Sequence, residues 1–313
     1  VARFRRLRRA AVVTGGSLLV LFAALVVYLR ADKTHAFYAA RGTYAGARVL
    51  AEWRLGDARC RWIELRNHRG EAVATAYVRA PGIRPPRPRI LLTYAGEKTG
   101  RTMLELIPQR PDLVLVAVQY PYERPRGLRY LRWPYDVRRA VFRTVAGGML
   151  AVSFLAEDER LPVDRLTVLG ASLGTSFAVI HGALDPRVES VMVVHGGGDL
   201  TGVLWDIERR EGRSWRAPLV AGLGAVLVES FDPLRYVDRI APRPFWLLAS
   251  RQDRYFPVSS VQALYDRAGE PKRLQWTDTE HVGAKKTSLV AEIVRQVEIH
   301  LDEGSVGARA TWR

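Results

Sequence analysis

The sequence predicts an α/β fold: a mostly parallel central sheet flanked by helices, with a short cap insertion, preceded by one transmembrane helix. Three observations carry this prediction. From Ile90 onward, short apolar strand candidates alternate with loops and helix-length segments, the rhythm of a parallel sheet wound by crossover helices. Within that rhythm, Arg165 to Ile180 reads RLTVLGASLGTSFAVI: a strand, a Gly-x-Ser-x-Gly turn, then a helix-like segment beginning near Phe177. Ala10 to Leu29 is an uncharged run of 20 residues with an arginine at each border.

At 313 residues, 48% of them hydrophobic, the chain can bury a sizeable core as one domain once the apolar run is set aside. The single cysteine, Cys60, excludes an intramolecular disulfide and a Cys-rich zinc site, and reads as a small buried or half-buried residue. The formal charge is +16. Its arginines are scattered through nearly every segment, without the aromatic interleaving or recognition motif of a nucleic-acid binder, so no nucleic-acid partner is expected. A basic surface near anionic lipid headgroups is the physical alternative.

Residues 3–9 (RFRRLRR) carry five arginines and make 1–9 a basic cytoplasmic N-terminus. As a helix, residues 10–29 would span about 30 Å, the thickness of a bilayer core. A cleaved signal peptide has a shorter apolar core, about 7–15 residues, and the nearest Ala-x-Ala, Ala45 to Ala47, lies far past the run. The expectation is an uncleaved, single-pass signal anchor that meets membrane lipid through residues 10–29. The arginine block stays cytoplasmic and everything after residue 30 lies on the extracytoplasmic side. Residues 30–47 then read as a connector and 48–313 as the folded domain.

That domain opens with three alternating strand candidates, Val49–Leu55, Arg61–Leu65 and Ala72–Val78, which suggest an antiparallel, half-exposed start. Ile90–Tyr94 is the next strand and Thr102–Gln109 a short helix; Leu113–Val118 is a strand and Asp136–Phe154 a long helix with Val137, Val141 and Val145 on one stripe. Leu166–Leu169 leads into the serine turn. Val191–Val194 ends in His195-Gly-Gly-Gly-Asp199. Residues 200–240 break the rhythm and form the cap-like insertion, whose Ala217–Val228 segment is apolar. It reads equally as a lid over a pocket or a helix packed on the core. Phe245–Ala249 and Arg273–Trp276 complete the sheet, and Ser288–Leu301 closes the chain as a helix with Leu289, Ile293, Val297 and Leu301 four residues apart.

A serine between strand and helix is forced into a strained backbone, and flanking glycines let neighbouring backbones approach. Its oxygen projects above the sheet's carboxyl edge, where the N–H of Leu173 can face a developing oxyanion. The hydroxyl is a poor nucleophile until a base takes its proton, and the base needs an acid to fix its tautomer. Of six histidines, His35, His68 and His181 fall in the connector, an early turn and a helix, and His300 is expected to face solvent beside the last apolar stripe. Two remain at strand ends, His195 and His281. Asp253 lies four residues past the strand Phe245–Ala249, and Asp199 is the alternative acid. The order Ser172, Asp253, His281 is the one that accompanies this turn, and each residue follows a different parallel strand. His195 reads as a cap on backbone groups, or as a pocket-lining residue together with Tyr94 and Tyr120.

From about Ile90 to Glu303 the chain resembles the α/β-hydrolases, close to their dienelactone-hydrolase and acyl-peptidase-like branches. The residues that carry the resemblance are GASLG at 170–174, FDPLRYVDRIAPRPFWLLASRQDRYFP at 231–257 and TEHVG at 279–283. It implies Ser172 as nucleophile, His281 as general base and then acid, and Asp253 as the orienting carboxylate. It also implies an oxyanion hole from the Leu173 N–H and a second N–H after the strand at Ile90, from Gly96 or Ala95. The family usually has a His-Gly pair there, where this chain has Tyr94-Ala95.

The expected function is a membrane-anchored serine hydrolase that cleaves a small-molecule carboxylic ester or thioester through an acyl-enzyme, with no metal and no cofactor. The alternatives are a catalytically silent membrane-tethered binding protein and a serine peptidase of the acyl-peptidase type. Tyrosines just past strand ends favour a short acyl group over a long one.

Overall fold

The computed structural model describes residues 14–17, 19–24, 26–28, 31–83, 85–94, 100–122, 126–127, 132–283 and 287–303. Two compact units are present, Val1–Lys33 and Thr34–Arg313. In the first, the described residues of 14–28 are helical, and Leu19, Val20, Leu21, Phe22 and Val27 are each 64–69% exposed. The rest of the expected membrane segment, and residues 1–9, lie outside the described residues.

The second unit is built on a sheet. Its strands are β1 (Tyr44–Leu55), β2 (Ala58–Asn67), β3 (Ala72–Ala80), β4 (Arg89–Tyr94), β5 (Leu113–Val118), β6 (Leu166–Ala171), β7 (Val188–Val194), β8 (Phe245–Ser250) and β9 (Lys272–Thr277). They form one nine-stranded sheet in the order β1-β2-β3-β5-β4-β6-β7-β8-β9. β1 to β3 and the β3–β5 pair run antiparallel; every pairing from β5 through β4 to β9 is parallel. The inner parallel strands are mostly apolar because helices cover both faces, whereas the edge strand β9 (KRLQWT) is polar and only half-buried. β5 (LVLVAV) is buried at every position, whereas six of the twelve residues of β1 are exposed.

The helices are α1 (Thr34–Arg41), α2 (Gly100–Leu106), α3 (Trp133–Glu157), α4 (Gly174–Leu184), α5 (Leu200–Arg210), α6 (Ala217–Val228), α7 (Val258–Arg267) and α8 (Thr287–Glu303). Strand side chains alternate between faces, so the core divides in two. Ile90, Leu92 and Tyr94 of β4 pack with Val145, Met149 and Phe177 of α3 and α4. Leu91 points the other way, into a cluster with Leu104 of α2 and Ile293, Val297 and Leu301 of α8.

Two expectations are corrected. Residues 30–47 are more than a connector: they contain α1 and the first residues of β1. Phe37 is fully buried, 4.6 Å from Phe142 and 6.0 Å from Tyr236, and it is the buried anchor of the short helix, which Tyr38 also ties down by donating its hydroxyl to Leu184 O at 2.6 Å. His300 does not face solvent. It is buried and its ring stacks on Trp246 at 4.8 Å, because it falls on the same helical face as Val297. Helix α3 is long and apolar enough to cross a membrane by length and composition, yet 72% of its apolar window is buried inside the unit, so it is a core helix.

The chain runs from β4 to β5, then crosses back over β4 to reach β6. The crevice at the carboxyl ends of β4 and β6 is therefore a topological switch point, where ligands bind in open α/β sheets.

Candidate active site

Ser172 sits at that crevice, one residue past β6 and two before α4. Its φ is +53°, in the left-handed region that a non-glycine residue rarely occupies. Its own N–H donates to Val194 O at 2.9 Å and its carbonyl accepts from Thr175 N at 3.0 Å, which fix the turn. The flanking glycines are required by space: a Cβ on Gly170 would stand 2.3 Å from Gly174 O, and one on Gly174 would stand 1.9 Å from Tyr94 O. Leu173 is the N-cap of α4, so no carbonyl of that helix can accept its N–H.

The structure brings the three sequence-predicted residues together. His281 Nε2 lies 2.8 Å from Ser172 Oγ, and His281 Nδ1 lies 2.6 Å from Asp253 Oδ2. Asp253 Oδ1 accepts the backbone N–H groups of Tyr255 at 2.7 Å and Phe256 at 3.0 Å. Burial alone would raise the Asp253 pKa. The hydrogen bonds from His281, Phe256 and Tyr255 outweigh it and hold the carboxyl below the ordinary range. The His281 ring is clamped edge-on by Tyr255 at 4.8 Å and faced by Phe256 at 6.1 Å. The loops carrying acid and base leave neighbouring parallel strands, with Ser250 paired to Thr277. Ser250 Oγ donates to Thr279 O and Arg251 N to Thr277 O, so the two loops are stitched together.

Asp199 has a different role. It caps α5, its Oδ1 accepting from Gly202 N at 3.0 Å. His195 is buried and accepts the Val282 N–H on Nδ1 at 2.9 Å, with its ring 6.0 Å from that of His281. Burial, aided by the charge of His281, lowers the His195 pKa to about 4.

His195, Asp253 and His281 also have the donor types of a cation site, their ligand atoms lying within 4.8 Å of one another. The donors are already spent. Both His281 nitrogens and both Asp253 oxygens are hydrogen-bonded, and His195 uses its Nδ1 lone pair on Val282, which leaves the proton on Nε2.

A cavity of about 770 Å³ opens over Ser172 and His281, walled by Gln252, Arg254, Tyr255, Glu280 and Val282. The tyrosines expected to line it do not. Tyr94 is 1% exposed; its hydroxyl meets His181 Nδ1 at 3.0 Å, and His181 Nε2 meets Asp185 Oδ2 at 3.3 Å. As the third alternate residue of β4 after Ile90 and Leu92, it points into the core. Tyr120 is half-buried and packs on Phe177 at 5.5 Å and Tyr122 at 5.7 Å. The true wall residues flank the acid and base in sequence, and that adjacency was the available signal. Gly96 and Ala95, expected to give the second oxyanion donor, lie outside the described residues. The insertion at 200–240 forms α5, α6 and three 3₁₀ turns, and it contributes no wall residue; it reaches the site through Arg210, whose Nη1 donates to Arg254 O at 3.1 Å.

No family model matches the chain. Among curated proteins it is similar to the uncharacterized protein YfhR of Escherichia coli O157:H7, 30% identical over 124 residues, which are 38% of this chain and 39% of the relative. YfhR of Escherichia coli strain K12 is 28% identical over 124 residues with the same coverage. The chain thus spans about two fifths of the length of these relatives. Among solved structures, an acetyl xylan esterase from Paenibacillus sp. R4 aligns with a TM-score of 0.60 and 16% identity, over 84% of this chain and 92% of that one. The chain shares the fold of that structure. Acetyl xylan esterase 1 from Thermoanaerobacterium sp. JW/SL YS485 gives 0.60 and 14% over 86% and 94%. A puromycin-hydrolyzing peptidase of Mycobacterium tuberculosis gives 0.58 and 18% over 82% and 41%. At these identities the likeness is one of fold.

Proposed function

We propose that the chain is a serine hydrolase that cleaves a carboxylic ester or thioester through an acyl-enzyme, held at a membrane by residues 10–29 with its folded unit on the extracytoplasmic side. The observation that carries the chemistry is the continuous chain Ser172 Oγ, His281 Nε2, His281 Nδ1, Asp253 Oδ2, at 2.8 and 2.6 Å. Ser172 Oγ attacks the carbonyl carbon as its proton passes to His281 Nε2. Asp253 stays ionised, keeps the Nδ1 tautomer and stabilises the imidazolium. The oxyanion is met by the Leu173 N–H and by a second N–H after β4, for which Gly96 is the candidate. His281 then protonates the departing alkoxide or thiolate, and water, activated by the same imidazole, releases the acid. A silent scaffold would gain nothing from holding Ser172 at a positive φ, which costs on the order of 1–3 kcal/mol. Labelling by a fluorophosphonate probe, abolished in Ser172→Ala, tests the reading; an unlabelled wild-type chain would leave the binding-protein alternative.

The anchor is supported by the uncharged run at 10–29 and by the exposed apolar side chains of its described helical part. Retention in the membrane after alkaline washing, with a C-terminal reporter active only outside the cytoplasm, tests it. A released chain or a silent reporter would reverse the assignment.

A further inference from the structure

A continuous chain of buried polar groups that takes no part in proton transfer runs beside the serine turn. It starts at Tyr94, the last residue of β4, whose hydroxyl meets His181 Nδ1 at 3.0 Å. His181 Nε2 meets Asp185 Oδ2 at 3.3 Å, one residue past the end of α4. Arg187 holds Asp185 in turn, with Nη2 on Oδ2 at 2.7 Å and Nε on Oδ1 at 2.9 Å. The chain ends on α3, where Arg187 donates from Nη2 to Met149 O at 2.9 Å and from Nη1 to Ser153 Oγ at 3.0 Å.

Its direction follows from charge. Burial alone would raise the Asp185 pKa; the hydrogen bonds from His181 and Arg187 outweigh it and hold the carboxyl well below the ordinary range. An ionised carboxylate only accepts, so His181 carries its proton on Nε2 and the Tyr94 hydroxyl donates to the lone pair on Nδ1. Burial, and then the charge of Asp185, push the Tyr94 phenol far up, so it stays a donor.

Apolar side chains would fill this layer without desolvating polar groups. Space is also reserved for the hydroxyl: a Cβ on Gly148 of α3 would stand 1.7 Å from it, although glycine inside a helix is destabilising. A buried network with every member satisfied instead fixes one arrangement of the elements it joins, here β4, α3 and α4. Tyr94 is where that arrangement meets the site. It pairs with Gly170 in the sheet, and a Cβ on Gly174 would stand 1.9 Å from its carbonyl oxygen, so it stands against both glycines that bracket Ser172. At 1% exposure the side chain itself cannot touch a substrate.

We propose that Tyr94 is a positioning residue: through His181 and Asp185 it holds the end of β4 against the serine turn, and so fixes the separation of the two oxyanion donors, one on Leu173 and one in the chain that follows Tyr94. This role rests on the serine-hydrolase reading given above.

The test compares Tyr94→Phe, which removes one hydroxyl, with Ile63→Val, a trim of a buried side chain in β2, far along the sheet from Ser172. The readouts are kcat and KM for an aryl acetate, referred to the fraction of chain that a fluorophosphonate labels at completion, and the inhibition constant of a trifluoromethyl ketone, whose serine adduct carries an oxyanion. Tyr94→Phe lowers kcat about 10-fold, leaves KM unchanged and raises the inhibition constant about 10-fold. His181→Phe does the same and the double variant is no worse, because the two act as a unit. His181→Gln, which keeps an acceptor for the hydroxyl, recovers most of the loss. Ile63→Val changes none of the three. Wild-type kcat and inhibition constant in Tyr94→Phe overturn the proposal, as does a change confined to KM. If Tyr94→Phe does not fold, His181→Phe carries the same test, and wild-type kcat in that variant overturns the proposal equally. A wild-type chain that neither takes the fluorophosphonate nor cleaves the aryl acetate overturns the hydrolase reading and this role with it, whereas an active wild type matched by Tyr94→Phe overturns the role alone.

Discussion

Val282 donates its backbone N–H to Nδ1 of His195 across 2.9 Å, one residue beyond the histidine that meets Ser172. His281 stands on an irregular loop, and this bond ties that loop to the end of β7. His195→Phe keeps the bulk and removes the acceptor. It should lower kcat about 10–100-fold with little change in KM, the cost of an imidazole displaced by about 1 Å. His195→Asn, which restores a side-chain acceptor, should recover part of the loss. Equal kcat in wild type and His195→Phe would show that the loop needs no such tie.

Ser172→Ala and His281→Ala should each lower kcat by several orders of magnitude, and the double variant should be little worse than either. Residues of one proton-transfer chain act as a unit, so once one is gone the other contributes little. Additive losses in steady-state hydrolysis of an aryl acetate would separate the two residues chemically.

The acid is assigned by contrast. Asp253→Asn should lower kcat about 10⁴-fold, because an amide facing Nδ1 favours the wrong imidazole tautomer. Asp199→Ala should leave kcat near wild type and cost stability of about 1 kcal/mol, the worth of an N-cap on α5. Thermal melting and kinetics on the same samples separate these effects; the reverse pattern would make Asp199 the acid.

Much of this was legible in the sequence, for physical reasons. Strands covered on both faces must be apolar throughout, so β5 shows its full range in LVLVAV. Ser172, Asp253 and His281 each follow a different parallel strand, and parallel strands deliver their ends to one edge. The illegible parts had weak or misjudged signals. α1 (THAFYAAR) has a single buried anchor, Phe37, too little for a periodic pattern. Tyr94 shares the parity of Ile90 and Leu92, which put it in the core with His181 rather than in the cavity. His300 is three residues past Val297, on the buried stripe of α8. Polarity suggested solvent for it, but position decided.

Acid should destabilise the fold in a defined window. Burial lowers the pKa of both His195 and His300 to about 4, from an ordinary value near 6.5. Between these values the unfolded chain binds more protons than the folded one, so stability is full above about pH 6.5 and falls as pH drops toward 4. The depressed Asp253 carboxyl acts in the same direction below that window. Each histidine can contribute on the order of 3 kcal/mol. His300→Phe keeps the stack on Trp246 and removes one titration, so its urea midpoint should fall less steeply between pH 6.5 and 4 than that of wild type. Parallel curves would mean that His300 does not titrate with folding.

The acyl group should be short, although not for the reason the tyrosines suggested, since Tyr94 and Tyr120 do not wall the cavity. Gln252, Arg254 and Glu280 do, beside Tyr255 and Val282. Laying a long alkyl chain across them would strip water from charged groups without giving them partners, which offsets the roughly 0.8 kcal/mol gained per buried methylene. The exposed apolar face of α6, with Leu219 and Leu223 each 62% exposed, contributes nothing to that wall and so gives a long chain no shelter there. Aryl acetate or butyrate should therefore be hydrolysed with higher kcat/KM than a ten-carbon ester. A monotonic rise of kcat/KM with acyl length would overturn this and would require the α6 face to close over the serine during turnover.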